Sequence, residues 1–228
     1  MNALPDQMPL SLDRRPVRDF STFWSGPNQA VVESLRCAQP GDLFVLSGPE
    51  ASGKSHLLSA FSGSIQVGQF LAGRALHAAD PEVLRSFHSS RRIAFDDVDH
   101  LFGNPQWERS LFIAFNEWRA AGCAIAFSLS PGYDWDSISL ADLRSRLHSG
   151  IRLRLHELDD DENQHLLCSL AQARNIMLSE EVVRLMIHRL PRDTASQIRW
   201  LERLAQESLR RKRRITPALV HALIREAS

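Results

Sequence analysis

The chain has 228 residues, of which 43% are hydrophobic, and this is enough to bury a sizeable core in one or two domains. Its 27 Lys and Arg residues equal its 27 Asp and Glu residues, so no overall positive field attracts nucleic acid or an anionic membrane, and such a contact would need a local patch. The sequence lacks a signal-peptide core, a run of about 20 apolar residues and a cysteine pattern typical of disulfides or zinc, which predicts a cytoplasmic protein with no membrane contact.

The first 19 residues predict a flexible arm, because they combine three prolines and scattered charge with no helical or strand period. Within the arm, the segment QMPLSL contains Gln7, Met8, Leu10 and Leu12. An extended segment of this kind suits docking into a groove, where the glutamine bonds to backbone and the leucines fill a pocket. The alternative is an ordinary disordered terminus, and these six residues alone do not decide between the two.

A phosphate-binding loop follows the first predicted strand. Residues 28–37 have the spacing of a short helix, and the apolar run DLFVLSG at 42–48 is typical of a buried parallel strand. That run leads into GPEASGKS, which matches G-x-x-x-x-G-K-[ST], and residues 54–66 then predict a helix whose N-terminus faces the phosphates. The predicted nucleotide contacts are Gly48, Pro49, Ala51, Ser52, Gly53, Lys54, Ser55 and His56.

Two carboxylates stand at the end of another apolar strand, RRIAFDDVD. In phosphate-loop NTPases, acids at this place hold Mg²⁺ and orient the attacking water. We therefore interpret Asp96, together with Ser55, as a Mg²⁺ ligand and Asp97 as the candidate catalytic base. The alternative is a solvated strand end or a helix cap, and Asp99 is expected to be such a cap.

The remaining elements first alternate and then become entirely helical. Further strands are predicted at RALHAA (74–79), CAIAFSLS (123–130) and IRLRL (151–155). Helices are predicted between them at 81–88, 105–121 and 140–148. This order predicts an α/β fold with a parallel five-stranded sheet between helices. After Glu157 the predicted helices are 160–174, 180–190, 194–213 and 217–227, which form a small second domain.

Two basic segments and one aromatic segment have competing interpretations. Arg144 and Arg146 precede the last strand, and from spacing alone a solvated helix surface is favoured. The segment LRRKRR at 209–214 ends a long predicted helix, where cations suit the helix dipole; the alternative is a weak patch that touches DNA or an acidic partner. The aromatic pair of FSTFW at 20–24 is interpreted as a core anchor.

Together, these motifs resemble the DnaA-related AAA+ family, and most closely its Hda regulators. The resemblance runs through FSTFWSGPNQAV, GPEASGKSHLL as Walker A, IAFDDVDHLFG as Walker B, AIAFSLSP as the sensor 1 strand, DLRSRL as the arginine-finger box, and a C-terminal helical lid. It implies that Asn28 lies near the nucleoside, that Arg146 acts in trans on a neighbouring subunit's nucleotide, and that QMPLSL binds the sliding clamp of the replicase. The implied organisation is an arm at 1–19, an AAA+ domain at 20–157 and a lid at 158–228.

Two positions depart from the family pattern. Alignment puts Ala195 where the family has its sensor 2 arginine, with Arg192 and Arg199 as nearby substitutes. The sensor 1 strand offers only Ser128 and Ser130 as polar residues, and these position a hydrolytic water less well than the usual Asn, Thr or Asp. Weak intrinsic ATP hydrolysis is therefore expected.

The resemblance implies an adaptor that regulates the initiation of DNA replication. A bound nucleoside diphosphate, for which ADP is the first candidate, would fix the angle between sheet and lid together with Mg²⁺. The sliding clamp (β subunit), loaded on DNA, would hold the arm, while Arg146 stimulates ATP hydrolysis by DnaA and so prevents re-initiation; DNA contact is then indirect. The alternative is a self-sufficient AAA+ ATPase of the helicase-loader type, which the intact Lys54, Ser55 and Asp96 support. The sequence does not specify the preferred nucleobase or the surface that meets DnaA, and both a monomer and a homodimer are compatible with it.

Overall fold

Parallel strands form a sheet at the centre of the structure. The computed structural model describes residues 18–63, 68–87, 90–191 and 193–227. Its strands are β1 (Leu43–Ser47), β2 (Gly68–Ala72), β3 (Arg92–Asp96), β4 (Ala124–Ser128) and β5 (Ile151–Arg154). They lie in the order β2-β3-β4-β1-β5, and each neighbouring pair is parallel. The predicted five-stranded parallel sheet is confirmed, and the segments that follow the strands meet at one edge of it.

Helices cover both faces of the sheet and then continue beyond it. They are α1 (Gln29–Arg36), α2 (Lys54–Ser62), α3 (Gly73–Leu76), α4 (Pro105–Ala120), α5 (Ala141–His148), α6 (Asp160–Ala173), α7 (Glu180–Arg189), α8 (Thr194–Arg211) and α9 (Pro217–Ala227). Short 3-10 turns cover Gly26–Asn28, Pro81–Phe87, Val98–Leu101 and Trp135–Ser137. Within the described ranges, no helix combines the length and the apolar character needed to cross a membrane.

Strand β1, which lies between β4 and β5, contributes to the apolar core on both faces of the sheet. Leu43 and Val45 belong to the cluster that includes α4 and α5, whereas Phe44 and Leu46 belong to the cluster that includes α1 and α2. Because side chains alternate along a strand, one apolar strand can serve two layers of helices. Helices α6 to α9 enclose a third cluster, so the helical segment that follows the sheet has a core of its own.

A capping box begins that helical segment. The Asp159 side chain accepts a hydrogen bond from the Glu162 backbone N–H at 2.8 Å, and the Glu162 carboxylate accepts one from the Asp159 N–H at 2.8 Å. This reciprocal arrangement satisfies two N–H groups that a helix start leaves unpaired. It fixes the direction in which α6 leaves the sheet.

The second strand lies earlier in the chain than we predict. RALHAA contributes to α3, and β2 is formed by Gly68–Ala72 instead, so the strand prediction at 74–79 is wrong. Glycine normally weakens a strand, yet a Cβ on Gly68 would stand 2.3 Å from the carbonyl oxygen of Ser62 and 2.7 Å from that of Arg92. The close approach of β2 to the end of α2 therefore requires glycine at position 68. Because glycine is uncommon within strands, the sequence pattern does not predict a strand there.

Candidate nucleotide-binding site

The loop between β1 and α2 has the backbone geometry of an anion cradle. Ala51 (φ +61°) and Gly53 (φ +98°) are left-handed, and a Cβ on Gly53 would lie 2.6 Å from the Phe23 ring. The loop delivers the chain to the N-terminus of α2, where unpaired N–H groups and the helix dipole favour an anion. The Ser52 hydroxyl is buried and has no hydrogen-bond partner among the described residues. Since buried polar groups are nearly always paired, this hydroxyl suits a phosphate oxygen.

Lys54 opens α2 and is turned onto its own loop. Its Nζ donates to the carbonyl oxygen of Gly48 at 2.8 Å and to that of Pro49 at 2.7 Å. Burial lowers the pKa of Lys54, while the carboxylates of Asp97 and Asp96 oppose this shift. The structure thus brings the loop lysine and the acidic end of β3 within electrostatic reach of each other. Ser55, one residue further along α2, is partly buried.

The acidic end of β3 is bonded to the neighbouring strand β4. Asp96 is 8% exposed, and its Oδ1 accepts from the Ser128 hydroxyl at 2.6 Å. The same hydroxyl oxygen accepts from the Asp97 backbone N–H at 2.8 Å. Two residues beyond, the Ser130 hydroxyl donates to Asp99 at 2.6 Å. Asp99 therefore bonds to the segment that follows β4 and does not cap a helix, so that expectation is wrong.

The candidate base Asp97 is engaged by an arginine that sequence reasoning missed. Asp97 lies in the left-handed region (φ +49°, ψ +49°), and its Oδ2 accepts from the Nε of Arg74 at 3.0 Å. A Cβ on Gly73 would stand 2.2 Å from the Asp97 carbonyl oxygen, so α3 begins in close contact with this residue. In this arrangement, the Asp97 carboxylate is paired with the Arg74 guanidinium.

A cleft of about 560 Å³ separates the loop from the helical segment. It is lined by Glu50, Ala51, Ser52, Glu157, Leu158, Asp159, Asp160, Asp161, Asn163, Asp193 and Thr194. Six of these residues carry carboxylates, and none of the described lining residues is Lys or Arg. Because like charges repel, positive charge for a nucleotide here would come from Lys54, the N-terminus of α2 and a metal ion.

Asn28 and His56, two predicted nucleotide contacts, bond to other parts of the chain. Asn28 is 2% exposed; its Nδ2 donates to the His156 carbonyl at 3.0 Å, and its Oδ1 accepts from the His156 N–H at 2.7 Å. This pair ties the start of α1 to the segment that leads from β5 to α6. His56 Nε2 lies 3.0 Å from the Asp19 carbonyl oxygen, and its ring meets the Phe23 ring edge to face at 5.3 Å. The N-terminal segment is therefore packed against α2.

Phe23 and its neighbour Phe20 both pack against the cluster beneath α1 and α2. This confirms that the aromatic pair of FSTFW is a core anchor. Burial also lowers the pKa of His56 below its ordinary value.

The two arginines of DLRSRL have different surroundings. Arg144 pairs with Asp136 at 3.0 Å. Arg146 is exposed and forms no ion pair with any described residue. Their helix, α5, is anchored by the buried side chains of Leu143 and Leu147. The structure therefore presents Arg146 on a fixed helix with its guanidinium available.

Glu108 holds the segment before α5, and sequence reasoning missed it. The side chain is 1% exposed, and its carboxylate accepts from the backbone N–H groups of Gly103, Ser139 and Leu140 at 2.8, 3.2 and 2.8 Å. A signal was present, because position 108 shares a helix face with the buried Leu111. A carboxylate on an apolar helix face usually has a structural partner.

Several predicted site residues are not brought together here. Gln7, Met8, Leu10, Leu12 and Arg192 lie outside the described residues. Arg199, the other candidate substitute at the lid, is exposed and donates to the Ser196 hydroxyl at 2.7 Å.

The helical segment and the whole chain resemble known proteins. Residues 160–224 match the family described as the Hda lid domain. An uncharacterized protein of Haemophilus influenzae is 29% identical over 227 residues, which covers 96% of this chain and 98% of that protein.

Solved structures with the same fold include initiators and a motor. Domain III of the replication initiation protein DnaA from Thermotoga maritima superposes with a TM-score of 0.74 at 18% identity, covering 92% of this chain and 97% of that one. AMPPCP-bound DnaA from Aquifex aeolicus gives 0.67 at 20% identity, covering 86% and 68%. The Thermotoga maritima RuvB Holliday junction branch migration motor gives 0.59 at 20% identity, covering 79% and 60%. At these identities, the similarity indicates the fold alone.

Proposed function

We propose, from the premise that this chain is an AAA+ protein related to Hda and DnaA, that it is a nucleotide-bound adaptor that limits the initiation of DNA replication. The lid match and the DnaA-like fold support a DnaA-related replication regulator. In our proposal it stimulates ATP hydrolysis by DnaA when the DNA-loaded sliding clamp is present. The observation that carries the proposal is the exposed, unpaired guanidinium of Arg146 on an anchored helix.

The chain's own nucleotide acts as a structural part in this proposal. The orphaned Ser52 hydroxyl and the buried Lys54 fit a phosphate group, and DnaA of the same fold binds AMPPCP. Ser55 and Asp96 would hold Mg²⁺, which supplies positive charge beside the phosphates. The acidic cleft favours a diphosphate such as ADP over a triphosphate, because each further negative charge is repelled. A ligand there spans the loop and the lid and would fix their angle.

Weak hydrolysis by the chain itself follows from the contacts at β3. The Ser128 hydroxyl is used by Asp96, and the Asp97 carboxylate is held by Arg74. These contacts would compete with the positioning of an attacking water, and the residue aligned with the sensor 2 arginine is Ala195.

Arg146 can still act on ATP bound by a partner. A guanidinium offers planar paired donors to phosphate oxygens, and an arginine finger supplied by a partner is worth about 10³ to 10⁵ in rate. The QMPLSL segment supplies the second contact, because an extended Gln and Leu motif suits a groove on the clamp. A protein with little activity of its own could in this way control another enzyme.

The test is single-turnover hydrolysis of ATP bound to DnaA, with clamp loaded on DNA. Arg146→Ala should keep fold and bound nucleotide but lose most of the stimulation, and Arg146→Lys should not restore it because Lys offers only a point charge. Arg144→Ala is the matched control, since Arg144 lies on the same helix as Arg146 but already pairs with Asp136 of the preceding 3-10 turn. Full stimulation by the Arg146→Ala protein would refute the finger.

The rival function is a self-sufficient ATPase of the helicase-loader type. The observation in its favour is the complete set of Lys54, Ser55 and Asp96 at one site. Steady turnover of ATP by the isolated protein, without DnaA, would favour this rival.

A further inference from the structure

The far end of the lid carries a dense group of cations that the adaptor mechanism does not use. Helix α8 ends at Arg211, and the next residue, Lys212, is left-handed at φ +51°. Its N–H bonds back to the carbonyl of Leu209, and the Arg213 N–H bonds to that of Ser208, so the chain turns sharply there. We call residues Arg210, Arg211, Lys212, Arg213 and Arg214 the basic turn.

Only part of this charge is neutralised within the lid. Glu207 pairs with Arg210 and Arg211 at 2.8 Å each, and Glu226 pairs with Arg211 at 3.3 Å. Lys212, Arg213 and Arg214 are exposed and form no ion pair with the described residues. Cations within the last turn of a helix are explained by the helix dipole, but these three lie beyond the helix end. They form a local positive surface on a chain whose net charge is zero.

The basic turn is too far from the nucleotide cleft to serve it. Asp193, the N-cap of α8, lines the cleft, whereas the basic turn follows the other end of that helix. An α-helix rises about 1.5 Å per residue, so the 18 residues of α8 separate the two by about 27 Å. Beyond the Debye length of about 8 Å at physiological salt, these charges do not act on a bound nucleotide.

We propose that the basic turn binds the phosphate backbone of duplex DNA directly. Four of its five residues are arginines, whose planar guanidinium groups match phosphate oxygens. The segment from Ser208 to Thr216 contains no aromatic side chain on which an unpaired base could stack, so a duplex backbone fits better than a single strand. This contact goes beyond the adaptor function, in which the chain meets DNA only through the clamp.

The expected binding is weak, independent of sequence and steeply salt-dependent. For B-DNA, log K falls with log salt by about 0.9 per neutralised phosphate. Three unpaired cations then give a slope of about −2.7, so affinity should fall about 40-fold between 50 and 200 mM salt.

Fluorescence anisotropy of a labelled duplex with the purified chain, without DnaA or clamp, tests the proposal. Arg213→Gln with Arg214→Gln should weaken binding at 50 mM salt by a factor on the order of 100 and reduce the slope to about −0.9. Arg213→Lys with Arg214→Lys should retain most of the slope, because charge is preserved. The matched control is Arg109→Gln with Arg189→Gln, which removes two exposed arginines elsewhere and should bind like wild type.

Two results would overturn the proposal. One is absence of binding by the wild-type chain at 50 mM salt. The other is equal binding by the wild-type and Arg213→Gln/Arg214→Gln proteins; if that variant also loses stimulation of DnaA, the basic turn would be assigned to an acidic protein surface. Because the binding assay contains neither DnaA nor clamp, its outcome is independent of whether the adaptor function holds.

Discussion

Replacing Glu108 with Gln is expected to loosen the helix that carries Arg146 while leaving the nucleotide cleft intact. The Glu108 carboxylate accepts from the N–H groups of Gly103 and Ser139 through Oε1 and from that of Leu140 through Oε2. Glutamine keeps one acceptor oxygen and replaces the other by an NH₂ group. At least one of the three N–H groups then loses its acceptor and faces a donor.

The size of the effect follows from these bonds. A buried N–H without an acceptor costs about 1–3 kcal/mol. The bonds that remain weaken too, because the acceptor no longer carries a charge. We therefore expect the free energy of unfolding to fall by about 2–4 kcal/mol, with the single orphaned N–H as the main contribution. For a chain of this size each kcal/mol shifts Tm by about 2–4 °C, so the expected loss is on the order of 10 °C.

Urea and thermal unfolding of Glu108→Gln measure this loss, and Glu117→Gln is the matched control on the exposed face of the same helix. The control should stay within about 0.5 kcal/mol of wild type. Because Leu140 is the N-cap of α5, stimulation of DnaA should fall more than nucleotide affinity does. A Glu108→Gln protein that unfolds like wild type would show that these bonds contribute nothing net, and the reasoning would be wrong.

Three further predictions concern the cleft, the arm and pH. Lys54→Ala should release nucleotide and lower Tm, since a ligand at a hundredfold excess over Kd stabilises by about 2.7 kcal/mol; retained nucleotide in mass spectrometry would contradict this. Gln7→Ala with Leu12→Ala should abolish clamp pull-down with unchanged melting, and wild-type pull-down would reduce QMPLSL to a plain tail. Burial depresses the pKa of His56, so its stability contribution should be complete above about pH 6.5 and be lost as pH falls below it; urea unfolding of wild type and His56→Gln should converge on acidification.

The sequence predicts elements whose signal is local and misses contacts that join distant segments. The strand-loop-helix around Lys54 and the helices of the lid have clear periodicity and turn residues, and they form as expected. Helix α2 ends at Ser62, four residues before the predicted end, because Gly63 has a positive φ of +67°. The strand predicted at 74–79 is wrong because Gly68 weakens the strand pattern of β2, which lies at Gly68–Ala72. The hydrogen bond from Ser128 to Asp96 joins residues 32 positions apart, so no local sequence pattern predicts it.

The arrangement of charge in the lid also bears on how a nucleotide is held. The lid side of the cleft presents carboxylates from Asp159, Asp160, Asp161 and Asp193, and the residue aligned with the sensor 2 arginine is Ala195. These carboxylates repel phosphates, and the described residues that line the lid side of the cleft include no Lys or Arg. In our proposal, the loop, α2 and Mg²⁺ would therefore hold the phosphates, while the carboxylates on the lid side would accept hydrogen bonds from sugar hydroxyls. The proposed adaptor needs this separation between phosphate binding and lid position, because it would keep its nucleotide without hydrolysing it.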